Sequence, residues 1–186
     1  MSRGKRILIG GSVRSGKSAF AVALARQLGS RRTFVATAQG LDDEMRERIA
    51  RHRKQRGDEF QTIEEPFDLP AVLGRLTETD VVVVDCLTLW LSNLLVRGDT
   101  EATILTRVEE LIAVTNHVPF DTVMVTNEVG MGVHPEHRLG RAFRDVAGRA
   151  HQCVARGADE IYFAALGIML RLHPGPIERQ PLGDDV

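Results

Sequence analysis

Cysteine is scarce: the 186 residues hold two, Cys86 and Cys153, and they form no C-x-x-C pair. That argues against a disulfide framework and a cysteine-built zinc site, and it suits a reducing, cytoplasmic setting. An excess of one charge is lacking as well. Lys and Arg number 24 against 25 Asp and Glu, for a formal net charge of −1. A general nucleic-acid or membrane-surface binder usually carries a basic excess, so neither partner is expected. No apolar run approaches the roughly 20 residues of a membrane-spanning helix. Between the basic segment Met1–Arg6 and a glycine-rich stretch lies only Ile7-Leu8-Ile9, too little for the apolar region of a signal peptide. No repeat, low-complexity segment or linker divides the chain, so residues 1–186 are expected to form one domain with a sizeable core.

The glycine-rich stretch is the feature that is present. Gly11-Ser12-Val13-Arg14-Ser15-Gly16-Lys17-Ser18 fits the phosphate-binding pattern G-x-x-x-x-G-K-[ST] at every required position. An apolar run precedes it, and Phe20, Leu24 and Leu28 follow at helical spacing, giving the strand–loop–helix context that the motif needs. Small residues let several backbone N–H groups converge on an anion, and the new helix adds its positive end. Lys17 is expected to reach the β- and γ-phosphates of a nucleoside triphosphate, and the Ser18 hydroxyl to hold Mg²⁺.

Short β-branched runs alternate with helical patterns along the rest of the chain. Strands are predicted at Arg6–Gly10, Thr33–Thr37, Gln61–Ile63, Val81–Val84, Thr122–Thr126 and Ile161–Leu166, with Ile168–Leu172 returning as an antiparallel partner around Gly167. Helices are predicted at Lys17–Gly29, Leu41 to about Arg56, Leu69–Leu76, Leu87–Val96, Glu101–Thr115 and through Leu139–Ala150. The four valines Val81–Val84 are apolar on both faces, as in a buried parallel strand. This alternation implies an α/β fold with a mostly parallel sheet, helices on both faces and an antiparallel C-terminal edge strand. The Pro- and Gly-rich tail from about residue 174 is expected to be loosely held. Ligands of such sheets bind at the carboxyl ends of the strands, where the phosphate loop, Thr37, Asp85 and Asn127-Glu128 fall.

Asp85, after four valines, is placed to assist a metal ion, although a helix-capping aspartate has the same appearance. Arg46–Arg56 packs six cations and one histidine into about three helical turns. Met45, Ile49 and His52 share one face of that helix. The segment reads either as a solvated basic face with a packing histidine, or as a polyphosphate field in which neighbouring cations keep His52 neutral and nucleophilic. Thr126-Asn127-Glu128-Val129-Gly130-Met131-Gly132 reads equally as a ligand loop or a plain turn. Asp43 and Glu44 suit a helix start.

Together these residues identify a resemblance. Gly11–Ser18, Ala36-Thr37-Ala38, Asp42-Asp43-Glu44-Met45 with Arg48-Ile49 and His52, and Thr62-Ile63-Glu64-Glu65-Pro66 belong to it. So do Val84-Asp85-Cys86-Leu87-Thr88, Val125–Gly132, Pro135–Leu139 and Phe143-Arg144-Asp145. From about Ile7 to Leu170 the chain resembles the bifunctional adenosylcobinamide kinase/adenosylcobinamide-phosphate guanylyltransferase family of cobalamin biosynthesis. The resemblance implies a P-loop NTPase fold with a RecA-like core, assembled as a homotrimer. It implies phosphorylation of adenosylcobinamide with ATP or GTP, then transfer of GMP from GTP to adenosylcobinamide phosphate through a guanylylated histidine, with Mg²⁺. The matching histidine is His52, acting with Lys17. Nucleotide contacts carry over to Gly10, Gly11, Ser12, Val13, Arg14, Ser15, Gly16, Lys17 and Ser18, and to Ala36, Thr37 and Ala38. They carry over further to Arg53, Lys54, Gln55, Arg56, to Glu64 (or its neighbour Glu65) and to Asp85, with Ser18 and Asp85 on the metal. A RecA-like ATPase coupled to a macromolecule and a kinase with one activity are the rival readings.

Overall fold

The computed structural model describes residues 3–181, with the side chains of Arg48, Gln55 and Arg56 outside that description. Strands form at β1 (Arg6–Gly11), β2 (Arg32–Ala36), β3 (Phe60–Glu64), β4 (Val81–Asp85), β5 (Asp121–Val125), β6 (Glu160–Ala165), β7 (Ile168–His173) and β8 (Glu178–Gln180). Helices form at α1 (Lys17–Leu28), α2 (Asp43–Arg56), α3 (Leu69–Arg75), α4 (Leu87–Arg97), α5 (Glu101–Thr115) and α6 (Arg138–Gly157). Their ends carry the expected chemistry. Asp42 caps α2 by accepting the Met45 N–H at 2.7 Å, and Thr100 caps α5 by accepting the Thr103 N–H at 3.2 Å. Gly98 stops α4 in a left-handed conformation, φ +106°.

The strands make one sheet in the order β3-β2-β4-β5-β1-β6-β7-β8. The first six are parallel, and β7 and β8 are antiparallel. Leu166 and Gly167, both left-handed at φ +53° and +74°, make the tight turn into β7. Beyond it, β8 pairs Arg179 with Leu170, an element for which the tail's composition gives no sign.

Two buried layers share this sheet. Ile7, Ile9, Val81, Val83, Val123 and Val125 pack with Phe20, Ala21 and Ala25 of α1 on one face. Leu8, Val35, Val82, Val84 and Met124 pack under α3, α4, α5 and α6 on the other. Each fully buried valine contributes roughly 1.5–3 kcal/mol, which is why β4 is apolar on both sides. Among the described residues, no side chain of α2 enters either layer. Register also joins Leu8 to Ile161, Gly10 to Phe163, Phe163 to Leu170 and Ala165 to Ile168 on one face. That face opens toward the edge: Phe163 and Leu170 are half-buried and Ile168 is 40% exposed.

The chain's start is pinned to the far end of α6. Asp159 accepts two hydrogen bonds from the Arg3 guanidinium at 2.8 Å, and one from the Arg6 N–H at 2.9 Å. These donors, Arg3 first, hold its carboxyl well below the usual carboxylate range.

Candidate functional site

Glycine conformations build the phosphate loop. Gly11 closes β1 at φ +153°, and a Cβ there would stand 2.7 Å from the Ala164 carbonyl oxygen, so only glycine lets the chain turn this close to β6. Gly16 is left-handed, φ +88°, immediately before α1. Arg14 is left-handed too, φ +57°, a conformation that costs a non-glycine residue about 1 kcal/mol or more. Lys17 is buried at 7% exposure, and its ammonium donates to the Ser12 carbonyl at 3.0 Å. The Ser15 hydroxyl is buried without a hydrogen-bond partner among the described residues. Among the described residues no side chain caps α1, and no acidic residue occupies its first turn, which leaves a positive helix end facing the loop.

Asp85 is half-buried at the carboxyl end of β4, and β5 separates that strand from β1. Its own carbonyl and the backbone of the next residue, Cys86, are tied to Thr37. The Thr37 hydroxyl donates to the Cys86 carbonyl and accepts the Cys86 N–H, each at 2.8 Å. The Thr37 N–H donates to the Asp85 carbonyl at 3.1 Å, and Asn93 Nδ2 donates to the Thr37 carbonyl at 2.8 Å. Thr37 is wholly buried, so its hydroxyl and carbonyl serve to join β2, β4 and α4. The Asp85–Cys86 peptide is cis. Burial, and then Asp85, push the Cys86 thiol up to about 12, so it stays protonated and is no nucleophile at neutral pH.

Beyond β5, Thr126, Asn127 and Glu128 continue the row of strand ends. The Glu128 N–H donates to the Gly11 carbonyl at 3.0 Å, which sets this residue against the phosphate loop. Its Oε1 accepts the Gly130 N–H at 2.6 Å, and its Oε2 lies 4.0 Å from His151 Nδ1. His151 Nε2 lies 2.6 Å from Thr126 Oγ1. Burial lowers the imidazole's pKa from its ordinary value, with Glu128 opposing. His151 is missing from the sequence-based site. Its signal was there, a polar side chain on the stripe Ala147, Ala150 and Val154 that α6 buries.

On α2, Met45, Ile49 and His52 are half-buried, while its other described side chains, Arg53 and Lys54 included, are exposed. That is the stripe the spacing predicts. Gln55 and Arg56 fall outside the described side chains. The crossover from β2 to β3 carries His52 nine residues past Asp43, about 13 Å along the axis and back toward the amino ends of the strands. The fold thus aligns the phosphate loop, Thr37, Glu64, Asp85 and Glu128 at strand ends, with His52 and its cations on a separate helix. Of the two glutamates after β3, Glu65 Oε1 accepts the Phe67 and Asp68 N–H groups at 2.8 Å each and closes the turn into α3. Glu64 ends the strand exposed.

A family model described as cobinamide kinase/cobinamide phosphate guanyltransferase matches residues 7–172. The bifunctional adenosylcobalamin biosynthesis protein CobP of Pseudomonas aeruginosa is 40% identical over 178 residues, 95% of this chain and 99% of that protein. The protein CobU of Escherichia coli, described in the same words, is 38% identical over 179 residues, 89% and 98% of the two chains. Among solved structures, a RadB recombinase superposes with a TM-score of 0.51 at 15% identity, covering 97% of this chain and 83% of its own. A KaiC-like protein of Pyrococcus horikoshii does so at 0.50 and 13% identity, covering 95% and 76%. The last two show the fold alone, a P-loop core of RecA type.

Proposed function

The chain belongs to the cobinamide kinase/cobinamide phosphate guanyltransferase family, and on that premise we propose a two-step reaction through a guanylylated His52. In the first step adenosylcobinamide receives the γ-phosphoryl group of ATP or GTP. In the second, adenosylcobinamide phosphate receives GMP from GTP. The observation that carries the reading is the phosphate loop with its buried Lys17 at an uncapped helix start. Loop amides, Lys17 and the α1 terminus form a field for the β- and γ-phosphates of the nucleotide.

In the second step the neutral His52 ring attacks the α-phosphorus of GTP. A nitrogen–phosphorus bond forms, and the bond to the β-phosphate breaks to release pyrophosphate. A phosphate oxygen of the corrinoid substrate then displaces the histidine, giving adenosylcobinamide-GDP. Arg53 and Lys54, exposed beside His52, suit the phosphate charge of that exchange, and Glu64 suits a nucleotide contact because Glu65 is held in its turn. The Ser18 hydroxyl and the Asp85 carboxylate are hard oxygen donors of the kind that hold Mg²⁺ together with substrate phosphates. When bound, Mg²⁺ offsets phosphate charge. The half-open apolar face of β6 and β7 suits burial between copies of the chain, as in a homotrimer.

GTP labelled at the α-phosphate tests the covalent step. The expected result is acid-labile, base-stable label on the protein that is absent from His52→Ala. Full turnover with no α-label retained would sink it, and full guanylyl transfer by His52→Ala would return the histidine to packing.

A further inference from the structure

Beside the phosphate loop lies a cleft of about 380 Å³ between β1, β6 and α6, lined by Gly10, Thr126, Glu128, His151 and Tyr162 among others. No nucleotide contact proposed above uses its carboxylate. Glu128 stands at the loop end of this cleft, since its own N–H donates to the Gly11 carbonyl at 3.0 Å.

A chain of hydrogen bonds leads to that carboxylate. Thr88 Oγ1 accepts the Asn127 N–H at 2.7 Å, so its own proton goes elsewhere. Thr126 Oγ1 at 3.0 Å is nearer than the Asn127 carbonyl at 3.4 Å. On the shorter of its two contacts we assign the Thr88 proton to Thr126, and with it the Thr126 proton to His151 Nε2 at 2.6 Å. A neutral imidazole that accepts at Nε2 carries its proton on Nδ1. Nδ1 is the atom that faces Glu128 Oε2 at 4.0 Å. From the other side, the Gly130 N–H holds Oε1 at 2.6 Å. A Cβ on residue 130 would stand 2.7 Å from that oxygen, so glycine is what allows the amide this close. Arg144 of α6 anchors the turn by donating to the Gly130 carbonyl at 2.6 Å. On β6, the Tyr162 ring packs with Phe20 on the opposite face of the sheet, and its hydroxyl donates to Glu160 at 2.7 Å.

We propose that Glu128 is the catalytic base of the kinase half-reaction and that His151 is its positioning residue, an inference that rests on the kinase reading above. The acceptor's hydroxyl gives its proton to Glu128 while its oxygen bonds to the γ-phosphorus. The bond from that phosphorus to the bridging oxygen breaks, and its electron pair leaves with the nucleoside diphosphate. In the guanylyl half-reaction the acceptor is a phosphate already ionised at neutral pH, so no proton need be removed. The base is therefore needed by one half-reaction and not by the other.

Single-turnover rates of the full chain, with adenosylcobinamide or its phosphate and labelled GTP, test this. Glu128→Gln is expected to slow γ-phosphoryl transfer by about 100-fold or more. Its effect on GMP transfer should be at least about tenfold smaller, with the KM for nucleotide within a few-fold of wild type. His151→Leu is expected to slow phosphoryl transfer by about tenfold through a misplaced carboxylate. His151→Asn, whose amide nitrogen overlays Nδ1, should recover most of that loss. Imidazole ¹⁵N spectra should show His151 protonated at Nδ1 and bare at Nε2. Equal losses in both half-reactions, no kinase loss in Glu128→Gln, or the opposite tautomer would overturn the proposal. A wild-type chain that phosphorylates no acceptor removes the kinase reading itself, and it is seen before any variant is made.

Discussion

The hydroxyl of Thr37 and the backbone of Cys86 exchange two hydrogen bonds of 2.8 Å, so one buried side chain joins the end of β2 to the turn between β4 and α4. Thr37→Val keeps the volume but leaves the Cys86 N–H and carbonyl without these partners in a dry site. The expected loss is about 1–3 kcal/mol, read as a lower midpoint in urea. Thr37→Ser, which keeps the hydroxyl, should lose less than Thr37→Val.

Lys17 offers a different outcome. Its ammonium is buried against the Ser12 carbonyl, within a loop rather than either core layer. Lys17→Ala is expected to slow both half-reactions by about 100-fold to 1000-fold, the cost of removing one preorganised charge contact. Steady-state kinetics check this, and circular dichroism should show the fold retained.

The two glutamates after β3 should separate cleanly. Glu65→Ala removes the acceptor for two N–H groups at the start of α3 and is expected to cost about 1 kcal/mol or more. Glu64→Ala, at an exposed strand end, should change stability by no more than about 0.5 kcal/mol. Thermal melts of the two variants give the comparison. Nucleotide affinity should shift in the opposite order if Glu64 is the ligand contact.

Asp159 predicts a pH signature. Its folded carboxyl titrates below the unfolded value of about 3.9, so its stabilisation is complete above that pH and fades as pH falls toward the folded value. The stability gap between wild type and Asp159→Asn should be flat from pH 7 to about 5 and shrink progressively below about 4. A gap that widens on acidification would contradict the Arg3–Asp159 and Arg6–Asp159 pairing.

At the turn into β7, Leu166 is left-handed and 99% exposed, so it is strained without any packing in return. Leu166→Asn suits the first position of such a turn. It should raise stability by about 0.5–1 kcal/mol, measurable as a higher melting temperature.

Why some of this could be read from residues, and some not, has a physical basis. The phosphate loop depends on local spacing, Val81–Val84 on composition, and the Met45–Ile49–His52 stripe on helical period, so each is visible within a few residues. The roles of Thr37 and His151 depend on partners far along the chain: Cys86 lies 49 positions away, and Thr126 lies 25 positions away. Glu65 differs from Glu64 only in which way a turn bends. The β8 strand owes its place to β7, its pairing partner, and not to its own three residues.

The valines of β4 divide between two layers, Val81 and Val83 facing α1, Val82 and Val84 facing the helices opposite. Neither layer can admit water without stripping a strand that the other needs. Melting of one side should therefore drag the other with it, in a single transition without a half-folded intermediate. The backbone amides of β4 and β5 would then exchange with solvent only when the whole sheet comes apart.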